Sequence, residues 1–96
     1  MKKLSKLERD KALKKLSGWK VLKGRNAITK NFNFKDFVSA FNWMNAIAFY
    51  AENTNHHPEW FNVYNKVNVT LSTHDVGGVT QLDINMAKKM NAISKK

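Results

Sequence analysis

Glu52-Asn53-Thr54-Asn55-His56-His57-Pro58-Glu59-Trp60 is the stretch that decides how this chain folds. Before it, residues 36–54 carry a helical apolar period; after it, residues 60–64 and 66–73 read as strands. The only proline, Pro58, biases His57 away from helical backbone, so the helix ends at the histidine pair. Glu52 and His56 stand at i and i+4, and share a face if the helix persists that far. The stretch holds two of the three histidines of the protein, and the third, His74, follows the second strand-like run. Imidazole takes or gives a proton near neutral pH, its ordinary pKa being roughly 6.5. Three rings converging from two segments would form a small acid/base site.

On the N-terminal side, Asp36 opens the long helix. Its Phe37, Val38, Phe41, Met44, Ile47, Ala48 and Ala51 form a wide arc expected to face the core. Trp43, Phe49 and Tyr50 spill beyond that arc and are expected to serve the aromatic core and a subunit contact. Residues 27–34 alternate, with Ile28, Phe32 and Phe34 on one face and Thr29, Asn31 and Asn33 on the other. They form a hairpin with residues 19–23 across the turn at 24–26. Ser5-Lys6-Leu7-Glu8 fits a capping box for a helix over 6–16, with Ala12, Leu13 and Leu16 as its apolar stripe and Gly18 as its end.

On the C-terminal side, Val67, Val69 and Leu71 point inward from a strand over 66–73, which pairs with 60–64 as a second hairpin. His74-Asp75-Val76-Gly77-Gly78 leaves that strand as a loop. Thr80 with Asp83 gives a weaker capping box, and the last helix runs to residue 93 with Leu82, Met86, Met90 and Ile93 on one side. Residues 94–96 read as a frayed end. The order is αββαββα. It predicts an α+β fold, a four-stranded antiparallel sheet with three helices packed on one face, as a single domain over 1–96.

Ninety-six residues bury a thin core, which makes self-association an expectation. Without cysteine there is no disulfide framework, thiol nucleophile or thiolate metal site. No run approaches the ~18 apolar residues of a membrane span. The lysine-rich start meets Glu8 and Asp10 with no apolar h-region, which argues against a secretory signal and for a cytoplasmic protein. The net charge of +10 is uneven: residues 1–30 hold nine lysines and two arginines against two acids, while residues 31–96 hold six lysines against five acids. The basic arm reads as a solvated helix surface rather than a nucleic-acid site, because lysine outnumbers arginine fifteen to two and base recognition leans on the guanidinium fork.

The histidines admit three readings from the residues alone. They are structural, or they ligate a metal, or they do general acid/base work without one. Metal binding is disfavoured by spacing, since adjacent side chains of an extended segment point to opposite sides and no His-x₃-His pair exists. There is no phosphate-binding glycine loop and no dinucleotide fingerprint. The residues thus favour a metal-free histidine site and name no substrate.

Glu52, three residues, His56-His57-Pro58, then Tyr64, His74 and Asp83 at these distances resemble the pattern of the pterin-4a-carbinolamine dehydratases. Residues 59–67 and 71–74, Gly24-Arg25, and Phe34-Lys35-Asp36-Phe37 are similar to that family as well. One departure is Asn55, where animal members commonly carry a carboxylate beside the pair, a stronger orienting partner than an amide. The resemblance implies an α+β domain that forms homodimers or homotetramers. It implies loss of water from 4a-hydroxytetrahydropterin to give quinonoid dihydropterin, with no cofactor and no metal. It assigns acid/base work to His57 and His74 and pterin positioning to His56, with Glu52, Pro58, Thr73, Asp75 and Val76 as further substrate contacts. The other reading of the same fold is a non-catalytic dimerisation module, since animal relatives also partner a homeodomain transcription factor.

Overall fold

Both capping boxes form. Ser5 Oγ accepts from Glu8 N at 3.1 Å while Glu8 Oε1 accepts from Ser5 N at 2.8 Å, and Thr80 and Asp83 make the same reciprocal pair. They start the first and last helices of a computed structural model that describes residues 1–95. The elements are α1 (Lys6–Leu13), β1 (Lys20–Val21), β2 (Ile28–Asn33), α2 (Phe37–Thr54), β3 (Glu59–Val63), β4 (Lys66–Leu71), a 3₁₀ turn (His74–Val76) and α3 (Gln81–Ser94). The order is αββαββα and the fold is α+β. Lys96, in the expected frayed end, lies outside the described residues.

The sheet runs β1-β2-β4-β3, antiparallel throughout. The two hairpins join along β2 and β4, from Ile28 opposite Leu71 to Asn33 opposite Lys66. Val67, Val69 and Leu71 are buried, as the alternation requires, and Asn31, Asn33, Lys66 and Asn68 lie exposed on the other face. Lys30 breaks the pattern on the core side of β2. Its Nζ donates to Ser17 O and Asn91 Oδ1 at 2.9 and 2.8 Å and lies 4.6 Å above the Phe32 ring, and burial pulls its pKa down.

α1 is shorter than the expected 6–16. After Leu13 the backbone tightens to i→i+3 bonds, Lys15 N to Ala12 O and Leu16 N to Leu13 O, which swings Leu16 into the core. β1 keeps only Lys20 and Val21 of the expected 19–23, because Trp19 is drawn under the sheet and buried.

The long helix faces the sheet with Ala40, Trp43, Ile47 and Ala51, spaced three, four and four apart. This corrects the expected arc. Phe37, Val38 and Phe41 are about half or more exposed, Ala48 is exposed, and Trp43 is central. Trp43 packs against Phe32 at 4.5 Å and Phe34 at 5.2 Å between centroids, and its Nε1 donates to Met90 O at 3.2 Å. The apolar residues of α2 cover two faces. The sheet takes the face where small Ala40 and Ala51 allow close approach and where the indole N–H finds a buried acceptor. Ile84, Met86, Ala87 and Met90 of α3 complete this core.

Trp43→Ala should lower stability in urea unfolding by roughly 3–5 kcal/mol, the usual cost of an emptied aromatic site. A loss under about 1 kcal/mol would place the ring outside the core.

Candidate active site

α2 ends in a way that separates the two neighbouring histidines. Asn55 adopts left-handed backbone, φ 51°, which asparagine tolerates better than most side chains. Its N–H bonds to Glu52 O, and the next N–H, of His56, bonds back to Ala51 O at 3.1 Å. That 6→1 and 5→2 pair is the Schellman stop. The helix therefore does not persist to His56, and the expected Glu52–His56 face is not formed. The reversed chain instead brings His57 back to the helix, with Nε2 2.6 Å from Glu52 Oε1. Asn55 is thus a helix stop, and the orienting of His56 falls to another group.

That group is Asp83. His56 Nε2 lies 2.6 Å from Asp83 Oδ1, with the ring buried and the carboxylate fully so. Asp83 Oδ2 accepts from Thr73 Oγ1 at 2.8 Å and from Thr80 N at 2.9 Å, and the two threonine hydroxyls are 2.7 Å apart. One carboxylate thus ties together the exit of α2, the exit of β4 and the start of α3.

A cleft of about 250 Å³ opens beside this network. His56, His57, His74, Thr73 and Asp75 line it together with Met1, Asn55, Ser72 and Leu82. His57 is about half exposed on the rim. His74 stands fully exposed on the 3₁₀ turn, its Nδ1 4.0 Å from Asp75 Oδ1, too far for a hydrogen bond. Glu52 reaches the cleft only through His57, and Pro58 and Val76 do not line it. Tyr64 sits at the far end of β3 with φ 50° and is exposed. Arg25 holds Glu59, the residue after Pro58, with both guanidinium ends. Hydrogen bonding from Arg25 lowers the Glu59 pKa. The folded value lies below the unfolded one, so this small, screened stabilisation is present above the usual glutamate range and fades as pH falls through the depressed value.

Sequence reasoning placed Asp83 as a cap and a motif residue and did not link it to His56. The available signal was a carboxylate in register with Met86 and Met90, on the side of α3 that is buried. Met1, Ser72 and Leu82 gave no signal.

Chemically, the cleft offers one imidazole locked by a buried carboxylate and two imidazoles open to a ligand. Among the described residues no three carboxylate or imidazole groups converge as a metal would require. The chain matches the family model "Pterin 4 alpha carbinolamine dehydratase" over residues 2–93, and it belongs to that family. Relatives from Brucella ovis and Brucella canis, each provisionally named a pterin-4-alpha-carbinolamine dehydratase, are 57% identical over 91 residues, 95% of this chain and 94% of theirs. The crystal structure of a transcriptional coactivator/pterin dehydratase from Brucella melitensis superposes with a TM-score of 0.96 at 56% identity, covering 97% of this chain and 99% of that one. A pterin dehydratase-like protein identified as a RuBisCO assembly factor in the alpha-carboxysome shares the fold, with a TM-score of 0.69 at 20% identity over 80% of this chain and 89% of that one.

Asp83→Ala should cost roughly 3–5 kcal/mol in denaturant unfolding, since it strands buried donors on His56, Thr73 and Thr80. His57→Ala and His74→Ala should leave the unfolding midpoint unchanged. A stable Asp83→Ala protein would show that the network is not what holds these segments together.

Proposed function

We propose that this protein is a cytoplasmic dehydratase that removes water from 4a-hydroxytetrahydropterin by histidine acid/base catalysis, with no cofactor or metal of its own. The observation that carries the reading is the cleft where the solvent-exposed His57, paired with Glu52, and His74 stand beside His56, which Asp83 holds. In the substrate, C4a bears both the hydroxyl and N5. A protonated imidazole gives its proton to the hydroxyl oxygen, the C4a–O bond breaks, and water leaves. The N5 lone pair forms the C4a=N5 bond and a neutral imidazole takes the N5 proton, giving quinonoid dihydropterin. His57 and His74 carry these two transfers, and His56 positions the ring. Glu52 orients His57, while Thr73 and Asp75 form the cleft wall. Such transfers are typically worth ~10² to 10⁴-fold each.

The alternative, a non-catalytic interaction module, draws on the exposed apolar stripe of α2, where Phe37, Val38, Phe41 and Phe49 are 48% to 68% exposed. We assign that stripe to self-association, as a homodimer or homotetramer that coexists with catalysis.

With enzymatically generated 4a-hydroxytetrahydropterin, chelator-treated protein should accelerate dehydration. His57→Ala and His74→Ala should lower kcat by about 10²-fold or more, and His56→Ala should act mainly on KM. Activity lost to chelator and restored by zinc would contradict the metal-free reading, and full activity in the His57 and His74 variants would contradict the roles.

Light scattering at micromolar protein should report an oligomer, and Phe41→Asp should shift it toward monomer. A monomeric parent would contradict the assignment of the stripe.

A further inference from the structure

The threonines behind Asp83 do more than fill space, because counting protons and lone pairs gives their hydrogen bonds one direction. Thr80 Oγ1 accepts from two backbone N–H groups, those of Leu82 and, in the capping box, Asp83. A hydroxyl has two acceptor sites and one proton, so Thr80 gives its proton to Thr73 Oγ1, 2.7 Å away. Thr73 in turn has one proton, and Asp83 Oδ2 takes it at 2.8 Å. The same oxygen accepts Thr80 N–H at 2.9 Å. A carboxylate has no proton to give, so Asp83 only accepts, and His56 Nε2, 2.6 Å from Asp83 Oδ1, is the donor. In the neutral ring this leaves Nδ1 unprotonated. Nδ1 has no protein partner among the described residues and is not sealed from solvent in a ring that lines the cleft.

We propose that Thr73 and Thr80 are positioning residues that hold the Asp83 carboxylate against His56 Nε2, so that His56 presents Nδ1 to the cleft as a fixed hydrogen-bond acceptor. The ligand class this selects is a flat heterocycle that offers a ring N–H or amino group at that point. The tautomer follows from the geometry together with a carboxylate at Asp83. Its kinetic consequence rests on the dehydratase reading, in which His56 binds the pterin. Without the Thr73 hydroxyl, Asp83 loses a donor that fixes its rotation, Thr80 loses its acceptor, and the imidazole is no longer confined to one tautomer.

The test is long-range proton–nitrogen NMR of protein labelled at its histidine rings, at mildly alkaline pH where free imidazole is neutral. The parent should show His56 protonated at Nε2 and bare at Nδ1. Thr73→Val, which keeps shape and loses the hydroxyl, should show a mixture of tautomers, and Thr73→Ser should restore the parent signature. In the dehydration assay, Thr73→Val should raise KM about ten-fold with a smaller change in kcat, and Thr73→Ser should again restore it. If Thr73→Val does not fold, Thr73→Ala is read the same way, and if neither folds the parent spectrum decides. A parent His56 protonated at Nδ1 overturns the proposal. So does a folded Thr73→Val that keeps the parent tautomer. If the NMR result holds and no dehydration is seen, the tautomer assignment stands and the substrate assignment falls.

Discussion

A carboxylate with no exposed surface, Asp83, is the constraint on which this structure depends. Removing a charge from water is costly unless its oxygens are hydrogen-bonded. Here the donors come from three places: the ring of His56 just past α2, the hydroxyl of Thr73 just past β4, and the backbone N–H of Thr80 at the head of α3. Satisfying one group therefore fixes the relative positions of three segments. Because Thr73 also pairs its backbone with Gly78, the short loop carrying His74 is anchored at both ends. The cleft is a by-product of that anchoring.

The different settings of the neighbouring histidines follow from backbone geometry. A left-handed residue at Asn55 turns the chain, so His56 goes inward and His57 outward to Glu52. The buried ring is held and the outer rings are solvated. Held groups suit binding and orientation, whereas exposed groups exchange protons readily with water. The same sequence neighbours thus receive different surroundings without any difference in residue type.

Much of the fold was legible because it rests on local signals. The two capping boxes, the alternation of Val67, Val69 and Leu71, and the proline after the histidine pair each act within a few residues. What was not legible depends on packing. A helix that is apolar on two faces does not reveal which one meets the sheet, so Phe41, within the expected arc, is exposed, while Trp43, beyond it, is central to the core. Whether Glu52 meets His56 or His57 turns on the left-handed backbone at Asn55, which the residue type permits without requiring. Asp83 was visible as a cap and as part of a family pattern. Its bond to His56, 27 residues away in sequence, needed the tertiary structure.

The outer face of the sheet carries a larger cleft of about 400 Å³, lined by Asn31, Asn33, Phe61, Val63, Lys66 and Asn68, with no imidazole near it. We assign ligand binding to the smaller cleft on chemistry rather than size. Titrating isotope-labelled protein with a stable dihydropterin and following its amide and ring signals tests this most directly. Saturable shifts are expected at His56, His57, His74, Thr73 and Asp75 with the outer sheet face unmoved. Shifts confined to Asn31, Phe61 and Asn68, or none at all at saturating ligand, would contradict it.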